Sequence, residues 1–260
     1  MTFRERWEKI CHYSTVAFIA EHWKWLNNVS VADDIKKNSA DTFGTKWTVR
    51  DGQVVPDASD LKLSNDAVRF DKATVLYADL DQSTDLVETK KWKFAGEVYK
   101  TFLYAASRLI RSHGGNIVSY DGDRVMGIFI SKSQRNDAVS CALKINYAVK
   151  NYIQAEKEKH WSGDFKIRHV IGIDRSEIRA ARTGVRGDND LVWIGTAANL
   201  AAKLTSLSAD KATWITKRVY DGLNDTQKLG PQGEDIWHKW KWSQHNDEEI
   251  YSSSYWREFS

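Results

Sequence analysis

The chain has 260 residues, 42% of them hydrophobic and 28% charged, with a formal net charge of +3. That length is enough for one large core with an extension, and the balance is ordinary for a globular protein. So small a charge, with no long Lys/Arg block, argues against a nucleic-acid partner, and no run of about 18 uncharged apolar residues offers a membrane span.

In chain order, Trp7, Ile10, Cys11, Val16, Ile19, Ala20 and Trp23 fall at helical spacing and predict one or two helices over 4–26. The same stretch carries "RERWEK" and "EHWKW", too charged for a signal peptide, so the cytoplasm is the expected location. Residues 27–70 are polar and mixed, with a hairpin expected at Asp51-Gly52. These residues read as an N-terminal extension, 1–70, ahead of a main domain over 71–260. A β-rich run, 72–80, ends in an acid. A helix is predicted from Ser83 to His113, stopped by Gly114-Gly115. Two strands then flank "DGD", and a helix over 134–160 follows, with Ala138, Cys141, Ala142, Ile145, Ala148, Val149 and Ile153 along one face. "FKIRHVIGID" and "EIRAART" read as two strands turning at Arg175-Ser176. A short Ala-rich helix, a strand at "ATWIT", a helix over 216–223 and a C-terminal hairpin complete the chain. From residue 72 the order is β-α-β-β-α-β, so the fold class is α+β, ferredoxin-like, with an appended hairpin and a helical N-terminal extension.

The two cysteines, Cys11 and Cys141, lack metal-ligand spacing and read as small buried apolar residues. Twelve tryptophans sit mostly among charges, a pattern that favours amphipathic packing at an edge or interface over base stacking. The hairpin "SYDGDRVMGIF" concentrates Asp121 and Asp123 around one glycine. Turn chemistry accounts for Asp and Gly there, and so does a cation held by the carboxylates.

Three further blocks bear on that choice. "YADLDQST" spans Tyr77 to Thr84, "GGNIVSYDGDRVMGIF" spans Gly114 to Phe129, and "DLVWIGTAANLAAKL" spans Asp190 to Leu204. In sequence, order and separation they resemble the class III nucleotidyl cyclase catalytic domain, over about 73–205. The ferredoxin-like topology brings Asp79 and Asp123 together, and two close carboxylates repel unless a cation lies between them. Hard oxygen ligands suit Mg²⁺ or Mn²⁺, and the resemblance implies two ions per site, with the Leu80 carbonyl as a further ligand. Asp121 is a neighbour of less defined role. Ser83 and Thr84 open the following helix and are candidates for the triphosphate, Ser83 serving equally well as its N-cap.

The resemblance implies that Asn199 orients the ribose and that the position four residues on contacts phosphate. The family has arginine there and this chain has Lys203, which keeps the charge and loses the two-pronged geometry. A solvated helix lysine is the alternative reading. A phosphate-binding lysine from the C-terminal hairpin corresponds to Lys239 or Lys241. The family shares its active sites between two catalytic domains, so one such unit per chain implies a homodimer.

Purine selectivity in the family rests on Lys or Glu before the turn and on a polar or small residue seven positions before the asparagine. Here those positions hold Ser119 and Val192, and Val192 offers no hydrogen bond. Tyr77 replaces a common Phe and reads either as a core aromatic or as a bulkier wall that suits a smaller ring. The sequence thus resembles the bacterial pyrimidine (Pycsar) cyclases of antiphage defence. That resemblance implies conversion of UTP to 3′,5′-cyclic UMP and pyrophosphate, and a separate effector activated by the cyclic nucleotide. The alternatives are cyclic CMP synthesis, adenylate cyclase activity with unusual specificity residues, and an inactive homologue that only binds.

Overall fold

The computed structural model describes residues 30–259. The chain divides into two compact units, Met1–Trp47 and Thr48–Ser260. The helices predicted over 4–26 lie outside the described residues. In the first unit, α1 (Val31–Gly44) starts at Ser30, whose hydroxyl accepts the Asp33 N–H. This helix falls where the sequence predicts none.

The second unit is built on one sheet, with nine strands among the described residues. Its order is β3-β4-β2-β5-β7-β9-β8, with β1 on β2 and β6 on β5. The strands are β1 (Thr48–Asp51), β2 (Asp66–Leu80), β3 (Asn116–Asp121), β4 (Arg124–Phe129), β5 (His169–Val185), β6 (Asp188–Ile194), β7 (Thr213–Thr216), β8 (His238–Trp242) and β9 (Glu248–Ser253). The four antiparallel strands β3-β4-β2-β5, with helices between β2 and β3 and between β4 and β5, are the expected ferredoxin-like core.

Period-two alternation along β2 divides the sheet's two faces. Leu76, Ala78 and Leu80 join the core under α3 (Trp92–Ser112) and α4 (Gln134–Ala148). Ala73 and Val75 face the opposite way, toward α6 (Thr196–Leu204), whose Ala197, Ala198 and Ala201 complete a second cluster. α3 buries Phe94, Val98, Phe102, Ala106 and Leu109, one stripe at helical spacing. All seven apolar positions picked out between 138 and 153 are buried, Cys141 among them. That helix continues through a π-turn at Val149–Ile153 into α5 (Gln154–His160).

Several expectations are corrected. Asp51-Gly52 makes no hairpin: β1 pairs parallel with β2, and the Gly52 N–H donates to the Arg69 carbonyl. The glycine is needed for space, because a Cβ there would meet the Phe70 and Val68 side chains at 2.5 Å. Residues 48–70, assigned to the extension from sequence, supply β1 and the head of β2. Exposed Asp71 and Lys72 sit at a register irregularity between Phe70 and Ala73 and interrupt the apolar alternation that marks the strand. No turn occurs at Arg175-Ser176. Both residues pair with β2, so β5 is one long strand, and β6 has no counterpart among the predicted elements. The helix predicted over 83–113 is two, α2 (Ser83–Thr89) and α3, parted by extended Lys90 and Lys91. The helix expected over 216–223 shortens to α7 (Lys217–Tyr220), and α8 (Asp225–Lys228) follows it. The C-terminal hairpin is present as β8 and β9.

Candidate active site

The site forms where the C-terminal end of β2 meets the β3–β4 turn. Tyr77 pairs with Met126 on β4, and Met126 pairs with Ser119 on β3. The three therefore lie in one row across the sheet, on the face toward α6. Asp79, two residues further along β2, has the same orientation and stands opposite Arg124.

The turn Asp121-Gly122-Asp123 places Gly122 at φ 60°, a left-handed conformation that favours glycine. Its two acids have different environments. Asp121 is largely exposed and bound to the Arg124 guanidinium at 2.6 Å. Asp123 Oδ2 is inaccessible to solvent and has no hydrogen-bond partner among the described residues. Arg124 also lies 5.3 Å from the centre of the Tyr77 ring, a cation–π contact. The Asp79 carboxyl is pushed up to about 6, first by burial and then by the Asp123 charge, against Arg124 and a Thr205 hydroxyl that donates to its Oδ2 at 3.3 Å.

A buried carboxylate oxygen without a partner, beside a second carboxyl raised by its neighbour's charge, is the arrangement a bound cation would relieve. Among the described residues no group of three or more His, Cys, Asp or Glu side chains gathers there or elsewhere. Two carboxylates suit Mg²⁺ or Mn²⁺ in particular, since Mg²⁺ keeps several waters and completes its shell with substrate phosphate. The residues present fit such ions. Leu80 has its side chain in the core, so its carbonyl is the only group it can offer.

Beyond β2 the chain is fixed from outside. The Asp81 N–H donates to the Arg168 carbonyl at 3.0 Å, and Arg168 Nε reaches the Asp81 carboxylate at 3.1 Å. Ser83 is not the N-cap of α2. That place belongs to Gln82, with φ 60°, and Ser83 is the first helical residue. The Ser83 carbonyl accepts the Tyr99 hydroxyl at 3.2 Å, and the Tyr99 phenol is raised by burial, with the Asp123 charge adding to it. Thr84 is exposed.

The remaining candidates make no hydrogen bond or ion pair with this cluster among the described residues. Asn199 and Lys203 are exposed on α6, one turn apart, and neither side chain makes a hydrogen bond or ion pair among the described residues. Val192, 41% exposed, points away from the face on which Leu191 and Trp193 pack, so it does not join the Tyr77–Ser119 row. Lys239 and Lys241 alternate with Trp240 and Trp242 on β8, three strands beyond β5. Lys239 is ion-paired with Glu249, while Lys241 has no such partner among the described residues.

Arg124, Thr205 and Arg168 were not among the sequence candidates. Arg124 adjoins Asp123 in sequence, and its +1 position opposite a paired strand was the available signal. Thr205 and Arg168 carry no local signature.

The family described as adenylate and guanylate cyclase catalytic domain matches residues 66–236. A protein of Burkholderia cepacia named uridylate cyclase is 54% identical over 215 residues, covering 82% of this chain and 93% of its own length. One of Xanthomonas perforans with the same name is 44% identical over 232 residues, covering 88% and 99%. Among solved structures, the adenylyl cyclase CyaB from P. aeruginosa aligns with a TM-score of 0.59 at 20% identity, over 72% of this chain and 95% of its own. The guanylyl cyclase Cya2 aligns with a TM-score of 0.60 at 19% identity, over 73% and 94%. At those identities the two structures establish the fold.

Proposed function

The chain belongs to the adenylate and guanylate cyclase catalytic-domain family, and on that premise we propose that it converts UTP to 3′,5′-cyclic UMP and pyrophosphate. In this reaction the ribose 3′ oxygen attacks the α-phosphorus. The new O3′–P bond forms as the bond to the β-phosphate oxygen breaks, pyrophosphate leaves with that electron pair, and the 3′ proton passes to water.

In this reading Asp79 and Asp123 hold two divalent ions, Mg²⁺ or Mn²⁺, with the Leu80 carbonyl adding a ligand. When bound there, such ions would supply a lower pKa for the attacking hydroxyl and positive charge for the departing pyrophosphate. Ser83 and Thr84 donate hydroxyls to the triphosphate. Tyr77 and Ser119 flank the base, and Arg124 steadies the Tyr77 ring while it neutralises Asp121. Val192, which within one chain does not join the Tyr77–Ser119 row, is assigned to the base from the second copy, where it withholds the hydrogen bond that a purine edge would need. A second copy supplies Asn199 for the ribose, Lys203 for the α-phosphate and a hairpin lysine for the outer phosphates. Lys241, without an ion pair among the described residues, suits that last role better than Lys239. The likeness to a family whose active sites are shared between two catalytic domains supports a homodimer with two shared sites.

The likeness to the antiphage pyrimidine cyclases supports a second-messenger role, read by a separate cyclic-nucleotide-activated effector. Among the described residues no helix is long and apolar enough to cross a membrane.

The single observation that carries the substrate choice is 54% identity, over nearly the whole of its length, with a protein named uridylate cyclase. The deciding experiment incubates the purified protein and Mn²⁺ with each of the four ribonucleoside triphosphates and identifies products by mass spectrometry. Cyclic UMP as the main product is expected. Cyclic CMP alone, a purine cyclic nucleotide alone, or no product from folded protein overturns the assignment.

A further inference from the structure

α6 carries polar groups at both ends of its usefulness to the site. Its exposed face presents Asn199 and Lys203, and the residue that closes it, Thr205, turns inward. Thr205 is 8% exposed, so little water competes for its hydroxyl. That hydroxyl reaches the Ala202 carbonyl at 2.8 Å and Asp79 Oδ2 at 3.3 Å. One proton is thus shared between the last turn of the helix and the carboxylate. The helix itself is seated tightly: a Cβ at Gly172 on β5 would come within 2.0 Å of the Ala201 carbonyl oxygen. A helix in such close contact moves as a body, and any displacement of Asn199 or Lys203 carries Thr205 with it.

We propose that Thr205 is a positioning residue for Asp79, and that through it α6 couples the two sites of the dimer. The inference rests on the shared-site reading above. One face of the helix serves the nucleotide at the site completed by the partner copy, while its closing residue holds the metal-binding carboxylate of its own chain. Nucleotide bound at one site is therefore felt as a change in carboxylate position at the other. The hydroxyl does not touch substrate. It removes one conformational freedom of Asp79 and keeps that side chain aimed across the turn toward Asp123.

The test uses the full chain and three proteins: wild type, Thr205→Val and Thr205→Ser. Mn²⁺ binding is measured by calorimetry without nucleotide, and UTP saturation is measured separately at fixed Mn²⁺. Thr205→Val is expected to weaken Mn²⁺ binding about tenfold, the scale of losing a group that orients a metal ligand, while Thr205→Ser restores it. The wild type is expected to show a Hill coefficient different from one, and Thr205→Val to bring it to one. Unchanged Mn²⁺ affinity in a folded Thr205→Val protein overturns the positioning role and leaves Thr205 as a helix cap. Equal Hill coefficients in the two proteins overturn the coupling. A folded wild type that binds no Mn²⁺ overturns the metal reading itself, an outcome distinct from both.

Discussion

Asp79 and Asp123 show how one site's chemistry is divided between neighbours. Asp123 Oδ2 has no hydrogen-bond partner among the described residues, and Asp79 has a carboxyl raised to about 6 by burial and by that neighbour. Removing the Asp123 carboxylate by Asp123→Ala is expected to abolish cyclic nucleotide formation, with circular dichroism and melting little changed, because the residue sits on a turn. The Asp79 shift also has a stability consequence. Its folded value lies above the ordinary carboxylate range, so protonation favours the folded state. The metal-free protein is then most stable on this account below about pH 4 and loses that contribution as pH rises through 6. Partial exposure reduces the cost at neutral pH to about 1 kcal/mol. Asp79→Asn should therefore raise the melting temperature of metal-free protein at pH 7.5 by about 2–4 °C while it abolishes activity. Added Mn²⁺ should stabilise the wild type and not the variant. A variant that melts below the wild type would contradict the sign.

At the scale of elements, α6 and the β5 strand beneath it determine what the site can present. Gly172 is the contact point, since any side chain there strikes the Ala201 carbonyl. Gly172→Ala should displace the helix, destabilise the fold by about 1–3 kcal/mol in urea titrations, and depress activity more than stability alone explains. On the exposed face of the same helix, Lys203 stands where the family has arginine. Lys203→Ala is expected to lower kcat about a hundredfold with a smaller change in the KM for UTP, as for a group that acts on charge developing in the transition state. Lys203→Arg should retain most of the rate. A uniform rise in KM with kcat preserved would instead make Lys203 a ground-state binder.

At the scale of the whole molecule, the two halves of the chemistry stand on different parts of one chain. Asp79 and Asp123 lie at the β2 end and the β3–β4 turn, whereas Asn199 and Lys203 are exposed on α6 and Lys241 is exposed on β8. A shared site makes a specific prediction for mixtures. Asp123→Ala and Asn199→Ala should each be inactive alone. After mixing and re-equilibration, half the dimers are mixed and each has one intact site of two, so activity should return to about a quarter of wild type. No recovery, with exchange of subunits demonstrated, would rule out the shared arrangement.

Much of this was legible in the residues. The β-α-β-β-α-β core, the apolar stripe of the helix over 134–160, and the convergence of Asp79 with the β3–β4 turn follow from local periodicity and from the few ways such a chain can close. Local signals failed where the reason for a residue was distant. Gly52 reads as a turn and is a point of contact with Phe70. Ser83 reads as a cap, while the cap is Gln82. Arg175-Ser176 reads as a turn and is held extended by pairing with β2. The sequence by itself determined the topology and the acids at the strand ends, because both are written in short-range patterns of apolar and turn residues. Only the tertiary structure decided that Asp123 Oδ2 has no hydrogen-bond partner among the described residues and that Thr205 reaches Asp79, because those environments join residues that meet only when the sheet and α6 are packed.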